Sequence, residues 1–423
     1  MTAPMNVPMN ASTAAACDLL LKGGRVIDSA QGLDALLDVA ICGDRIARIA
    51  PDIDPATARR VVDVSGAIVS PGLIDLHAHV YRHITDFGVE ADDAGVNAGC
   101  TTIVDQGSAG AWTFDGFKAH VVDRAVSEVF LFISTNLTGT LRGCRGGPLC
   151  QTPELSDVDV LASFAQRFPG VIKGVKGHSD SGGWSLWGRR MFEISRACAD
   201  AAGLPLYVHT GELWKVDEAR RPEPRSVMED TLELVRPGDL LAHCYSCRDD
   251  GILGPLERPS QALVDAIASG VRLDLGHGVN FSFDTSRRMM DAGLLPYSIS
   301  SDVHGDFYTH DNDTTLDYSL LGAMSKLLAT GFDLGFVLRA TTLHPATVLR
   351  MAQEIGTLVP GTRADVSVLT QIDGPWTYRD CLGVEVVGRS RLVPRLVVRA
   401  GQLHTPTRRL LRDITRPDER LAA

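Results

Sequence analysis

The chain is poor in the features that mark nucleic-acid and membrane proteins. Acidic residues outnumber basic ones, 52 Asp and Glu against 41 Lys and Arg, for a net charge of -11. No Lys/Arg-rich stripe appears, which argues against a nucleic-acid or anionic-membrane partner. The arginines of the last segment are interspersed with Asp413, Asp418 and Glu419, so residues 406–423 read as a solvated tail. No apolar run approaches the length needed to span a bilayer. Met1 to Ala16 contains neither Lys nor Arg, so it lacks the basic start of a secretory signal and reads as a disordered extension, residues 1–16.

The nine cysteines are odd in number and unpatterned. Cys17, Cys42, Cys100, Cys198 and Cys381 are scattered through apolar segments, and Cys144 and Cys150 sit in a Gly-rich loop. Cys244-Tyr245-Ser246-Cys247 is a C-x-x-C, but no second pair follows at a structural-zinc spacing. The thiols are expected to be reduced and structural or incidental, which fits a cytoplasmic protein. Beyond an alternation of strand and helix there is no internal repeat and no long low-complexity segment.

What is present is a large apolar fraction, 44% of 423 residues, enough for one large domain and a smaller satellite. The most informative stretch is Pro71-Gly72-Leu73-Ile74-Asp75-Leu76-His77-Ala78-His79. Side chains alternate across a strand, so His77 and His79 face the same way and can grip one metal ion. Taken alone the pair is weak, since buried histidines are often satisfied by carbonyls. Later apolar runs repeat the theme. Val171–Lys176 ends in a lysine, Leu206–His209 and Leu240–His243 end in histidines, and Tyr297–Asp302 ends in an aspartate. Each alone has a bland reading, a core hydrogen-bonder or a helix cap. Together they place four histidines, a lysine and a carboxylate at strand ends.

Strands are expected at 68–79, 101–108, 129–136, 170–177, 204–211, 239–246, 272–278 and 297–304, with amphipathic segments such as Arg189–Ala202 and Pro259–Ser269 between them. Eight strands with return helices over roughly 250 residues match a (β/α)8 TIM barrel, whose active site lies at the C-terminal strand ends. The barrel is expected over 68–355. The flanks 17–67 and 356–405 are both strand-like and turn-rich, which suggests one small β-sandwich built from both termini.

These motifs resemble the amidohydrolase superfamily, and within it the deacetylase or dihydroorotase-like group. The resemblance rests on the Pro71–His79 stretch, Gly99–Gly110, Leu275-Gly276-His277-Gly278, Ile299–His304 and Gly356–Asp365. It implies two metals, usually Zn²⁺, bridged by a carboxylated lysine. His77, His79 and Asp302 would serve the first metal, His209 and His243 the second, and Lys176 would bridge them. Lys173 is the alternative lysine, but three residues apart the two fall on opposite strand faces, and Lys176 lies nearer the mouth. The implied reaction is hydrolysis of an amide or ester bond in a small molecule, with Asp302 as general base and acid. His277, His304 and Arg145 are candidates for binding the substrate, His277 because its glycine neighbours leave room; a hydrogen-bonded supporting role for it is an equal reading. Arg142, Trp184, Trp187 and Trp214 are further loop candidates. His209-Thr210-Gly211-Glu212 also allows a mononuclear deaminase with Glu212 as proton shuttle, and an inactive structural relative is the non-enzymatic alternative. A homo-oligomer is expected.

Overall fold

The computed structural model describes residues 17–141, 152–214, 216–278, 280–305 and 319–407. The N-terminal extension 1–16, Arg142, Arg145, Cys144, Cys150, most of the loop after His304 and the tail from residue 408 lie outside the described residues.

The N-terminal flank forms β1 (Cys17–Asp28), β2 (Leu33–Cys42), β3 (Arg45–Ala50), β4 (Ala58–Asp63) and β5 (Ile68–Pro71). Next come seven parallel strands: β6 (Leu73–Ala78), β7 (Cys100–Gln106), β8 (Glu128–Ser134), β9 (Ile172–Ser179), β10 (Leu206–Thr210), β11 (Leu240–Leu241) and β12 (Arg272–Leu273). The C-terminal flank returns as β13 (Val366–Arg379), β14 (Glu385–Arg399) and β15 (Gln402–His404). Ile68–Pro71, counted above with the first barrel strand, pairs instead with β1 and β13. The chain changes sheets at Gly72, where a side chain would collide with Thr101.

The β6–β12 sheet is the barrel wall. Its eighth member, the segment 297–304, bridges β12's extension at Asp274–Ser298 and β6 at Ala78–Val303, both in parallel, and so closes the barrel. It is not a regular strand because Asp302 has φ 53°, a left-handed conformation that breaks the ladder. β11 is equally short, since His243 two residues on has φ 61°. The ends are tied by hydrogen bonds from the Asp302 N–H to the His77 carbonyl (2.7 Å) and from the His79 N–H to the Val303 carbonyl (2.9 Å). Asp75 of the first motif adds a side-chain lock, accepting from the Ser301 N–H at 2.9 Å and the Ser301 hydroxyl at 2.5 Å. The amphipathic segments form helices Arg190–Ala202 and Gln261–Ser269, ended by left-handed Gly203 and Gly270.

The flanking strands join in one continuous sheet, ordered β15-β14-β13-β5-β1-β2-β3 with β4 beside β1. It closes over a core in which Leu21, Val26 and Val39 from one flank meet Val366, Val368 and Val398 from the other. This is the β-sandwich built from both termini. The outer half of the long β13–β14 hairpin leaves that core: Trp376, Tyr378 and Leu392 pack with the barrel residues instead. Its tip is fastened to the barrel where Asp380 Oδ2 accepts from the Phe283 N–H at 3.0 Å. Among the described residues, no helix is long and apolar enough to cross a membrane.

Candidate metal centre

The barrel brings the strand-end residues into one buried pocket. Alternation on β6 and just past it puts the His77 and His79 rings 5.3 Å apart, and Asp302 Oδ1 lies 3.0 Å from His77 Nε2 and 3.4 Å from His79 Nε2. His209, at the end of β10, places Nδ1 2.8 Å from Nε2 of His243. Ligand atoms of His77, His243 and Asp302 fall within 4.8 Å of one another. Five of the six expected ligands line the same pocket, and His243 joins them through His209.

The outward-facing partners of these rings decide their tautomers. A backbone carbonyl can only accept, so His243 Nδ1 (2.6 Å from the Gly276 carbonyl) and His209 Nε2 (3.0 Å from the Gly211 carbonyl) both carry hydrogens. Tyr207 donates its only hydroxyl hydrogen to Asp274 at 2.5 Å, so its contact with His77 Nδ1 at 2.9 Å is donated by the ring. In the neutral rings, His77 Nε2, His209 Nδ1 and His243 Nε2 therefore turn lone pairs inward. Burial keeps the rings neutral: it pushes His77 and His209 well below the ordinary imidazole range, lowers His243, and takes His79 down to about 4. Two lone pairs facing at 2.8 Å repel unless a cation or proton lies between them. This is the donor pattern that suits a divalent metal.

Lys176 fits the same scheme. It is 1% exposed, its Nζ makes no hydrogen bond, and it lies 4.5 Å over the Tyr207 ring. Burial lowers its amine to about 7, so a neutral, nucleophilic form is accessible near neutral pH. Gly107, at φ 81°, makes room for it, since a Cβ there would stand 2.8 Å from Lys176 Cγ. Lys173 is elsewhere: its Nζ donates to the Pro169 carbonyl at 3.0 Å and lies over the Phe130 ring, on the other face of β9.

Two of the expected ligands are held in strained backbone. Non-glycine residues with φ of 61° (His243) and 53° (Asp302) each cost about 1–3 kcal/mol and persist only where neighbours over-determine them. Gly278 supplies part of the room: a side chain on it would collide with the Asp302 carboxylate.

Other candidates separate. His304 lines the pocket, its ring 6.1 Å from His79. His277 does not. Its ring stacks on Phe281 at 5.2 Å and its Nε2 lies 3.0 Å from Lys326 Nζ, so the glycines around it make space for His243 and Asp302 rather than for a substrate. Glu212 is ion-paired with Arg221 at 2.9 Å and lines a separate cleft rather than the pocket of the donors. Trp184 packs against the barrel core, and Trp214 is buried against the His178 ring at 5.2 Å. The pocket also contains Phe87, Thr140, His178, Leu213 and Asn280, none singled out from sequence. His178 had an available signal, because it stands two residues after Lys176 and so shares its strand face.

Comparison with known proteins agrees with this geometry. The amidohydrolase family model matches residues 68–389. A deacetylase of Brucella anthropi is 30% identical over 385 residues, covering 86% of this chain and 90% of the relative. A deacetylase of Agrobacterium fabrum is 28% identical over 380 residues, covering 85% and 88%. Among solved structures, a dihydroorotase aligns with a TM-score of 0.78 at 27% identity, covering 92% of this chain and 97% of that one. An adenine deaminase aligns with a TM-score of 0.80 at 24% identity, covering 92% and 100%, which speaks to the fold alone. With a converging set of metal donors at the mouth of the barrel and a family match across most of its length, the chain belongs to the amidohydrolase family and is a hydrolase of carbon–nitrogen bonds.

Proposed function

We propose that the protein uses two divalent metal ions to hydrolyse an amide or ester bond in a small molecule of the N-acyl amino acid, acylated hydroxy acid or cyclic amide type. The observation that carries this reading is the donor set: imidazole lone pairs turned inward by their outer partners, beside one carboxylate and a buried amine without a hydrogen bond. The two relatives named as deacetylases support removal of an acyl group.

His77, His79 and Asp302 would hold one ion and His209 and His243 the other, with Lys176, carboxylated on its amine, between them. Bound there, the ions, Zn²⁺ being suited to nitrogen and oxygen donors, supply Lewis acidity toward the substrate carbonyl and a water acidic enough to act as nucleophile near neutral pH. Asp302 would take a proton from the attacking water on its carboxylate and return it to the leaving nitrogen or oxygen. Phe87 and Leu213 make part of the wall apolar, which excludes bulk water and strengthens these charge interactions. His178, Asn280 and His304, which line the pocket, would orient the polar end of the substrate.

The test is metal analysis of the purified protein with a panel of N-acyl-D- and L-amino acids, acyl hydroxy acids, lactams and cyclic imides. Expected are about two metals per chain and hydrolysis of one class. A single metal per chain, or no turnover of any class after metal reconstitution, refutes the two-metal hydrolase.

A further inference from the structure

The thiols are expected to be structural or incidental, and one pair of them lies in contact. Cys247 Sγ and Cys381 Sγ are 3.2 Å apart although 134 residues separate them in sequence. Cys247 is half-buried in the loop after His243, and Cys381 is exposed at the tip of the β13–β14 hairpin. Consecutive carbonyls hold them side by side: the Cys247 N–H donates to Asn280 (2.9 Å) and the Cys381 N–H to Phe281 (3.0 Å). The C-x-x-C partner, Cys244, is 0% exposed inside the barrel core and takes no part.

The geometry points to Cys247 and Cys381 as a reversible thiol–disulfide site, oxidised by a small peroxide, that staples the hairpin of the terminal domain to the loop beside the metal pocket. Two sulfurs already in contact need to approach by only about 1.2 Å to reach a disulfide bond length. The tip is anchored independently by Asp380, which accepts from the N–H groups of Leu382 and Val384 (2.9 Å each) as well as Phe283. The hydrogen bond that Cys247 accepts from Cys381 marks Cys247 as the attacking sulfur. The Cys247 thiol is drawn down to about 7, first by its hydrogen bond from Cys381 and also by the Arg248 guanidinium, against the opposing effects of burial and Asp380. Cys247 and Arg248 line one open cleft with Leu382, so a small oxidant can enter.

The step balances with one peroxide. The Cys247 thiolate attacks a peroxide oxygen, breaking the O–O bond and leaving a sulfenic acid and, after protonation, water. The Cys381 thiol then attacks that sulfur, closing the S–S bond and releasing a second water. Two thiols lose two electrons and two protons, and the peroxide becomes two waters. The staple bears on the pocket through Asn280, which lines it, accepts from Arg248 Nε at 3.1 Å and holds the Cys247 N–H.

The experiment treats the folded, metal-loaded protein with hydrogen peroxide, quenches with an alkylating agent under denaturing conditions, and maps peptides by mass. Expected is one link, Cys247 to Cys381, reversed by dithiothreitol and formed before the exposed Cys42 is oxidised. In C381S, dimedone should trap a sulfenic acid on Cys247 and no link should form. Alkylation of Cys247 near pH 7 should run a few-fold faster than that of Cys42. Oxidation of Cys42 without a Cys247–Cys381 link, or a link joining other cysteines, overturns the assignment. The wild-type mapping stands even if a variant fails to fold.

Discussion

Replacing Tyr207 by Phe isolates the network behind the metal pocket. The ring stays, so its packing under Lys176 and against Phe132 is kept, and only the hydroxyl leaves. Among the described residues that hydroxyl alone joins His77 Nδ1 to Asp274, which continues to accept from Ser298 at 2.5 Å, from Ser300 and from the Gly276 N–H at 3.0 Å. His77 is left with a buried N–H that has no acceptor, a loss of about 1–3 kcal/mol. The ring can escape by moving its hydrogen to Nε2, which removes the lone pair aimed at the pocket. Both routes weaken metal binding by a similar amount, about 10–100-fold, or about 1.4–2.7 kcal/mol. A water entering the vacated space moves the effect to the lower end. The assay strips the metal, then titrates Zn²⁺ against a chromophoric chelator, with circular dichroism confirming the fold. Unchanged affinity and unchanged turnover in a folded Tyr207→Phe protein would refute the argument that Tyr207 sets the His77 tautomer.

Lys176→Ala should abolish hydrolysis, with short carboxylic acids in the medium partly restoring it, whereas Lys173→Ala should be mild because Lys173 Nζ rests on the Pro169 carbonyl; the reverse pattern assigns the bridge to Lys173. Burial brings the Lys176 amine of the metal-free protein from 10.5 down to about 7, so the neutral form that captures carbon dioxide dominates above about 7. Reactivation by Zn²⁺ and bicarbonate should therefore rise through pH 7 and be lost below it, and reactivation indifferent to both bicarbonate and pH contradicts this. Asp302→Asn should keep most of the metal while turnover falls by about 10²–10⁴-fold, and near wild-type turnover with both metals bound removes Asp302 from proton transfer. Gly278→Ala should lower the melting temperature and the activity, since its Cβ meets Asp302. Gly203→Ala, at a left-handed φ of 65° and ψ of 29° with nothing within 4 Å, should cost only backbone strain of about 1–2 kcal/mol, so equal effects would deny the close approach.

Much of the site was legible because its residues obey a local rule. A strand-end residue of a parallel barrel points to the mouth, so Lys176, His209 and His243 stood out by following short apolar runs, and His77 with His79 by their spacing of two. His178 obeys the same rule relative to Lys176 and was passed over. Tyr207 and Asp274 had no such mark: a tyrosine inside an apolar run looks like core, and its role exists only because Asp274 and His77 arrive from other strands. The segment 297–304 was expected as an ordinary strand. It closes the barrel as irregular backbone, with Asp302 turned at φ 53° against His77 and His79, and those partners come from β6 and the residue just past it rather than from its own sequence.

The sequence by itself determined the alternation of strands and helices, the barrel, the flanks that make the sandwich and the inward face of each ligand strand, since hydrophobic period and chain direction are local properties. Only the tertiary structure decided which nitrogen of each imidazole faces the pocket, that His277 supports the site from behind while His304 lines it, that Glu212 is occupied by Arg221, and that Cys247 meets Cys381 rather than Cys244. The His77 tautomer, the place of His277 and the cysteine pair depend on partners 130, 49 and 134 residues away, and no local pattern encodes a contact whose other half is brought in by the closure of the barrel.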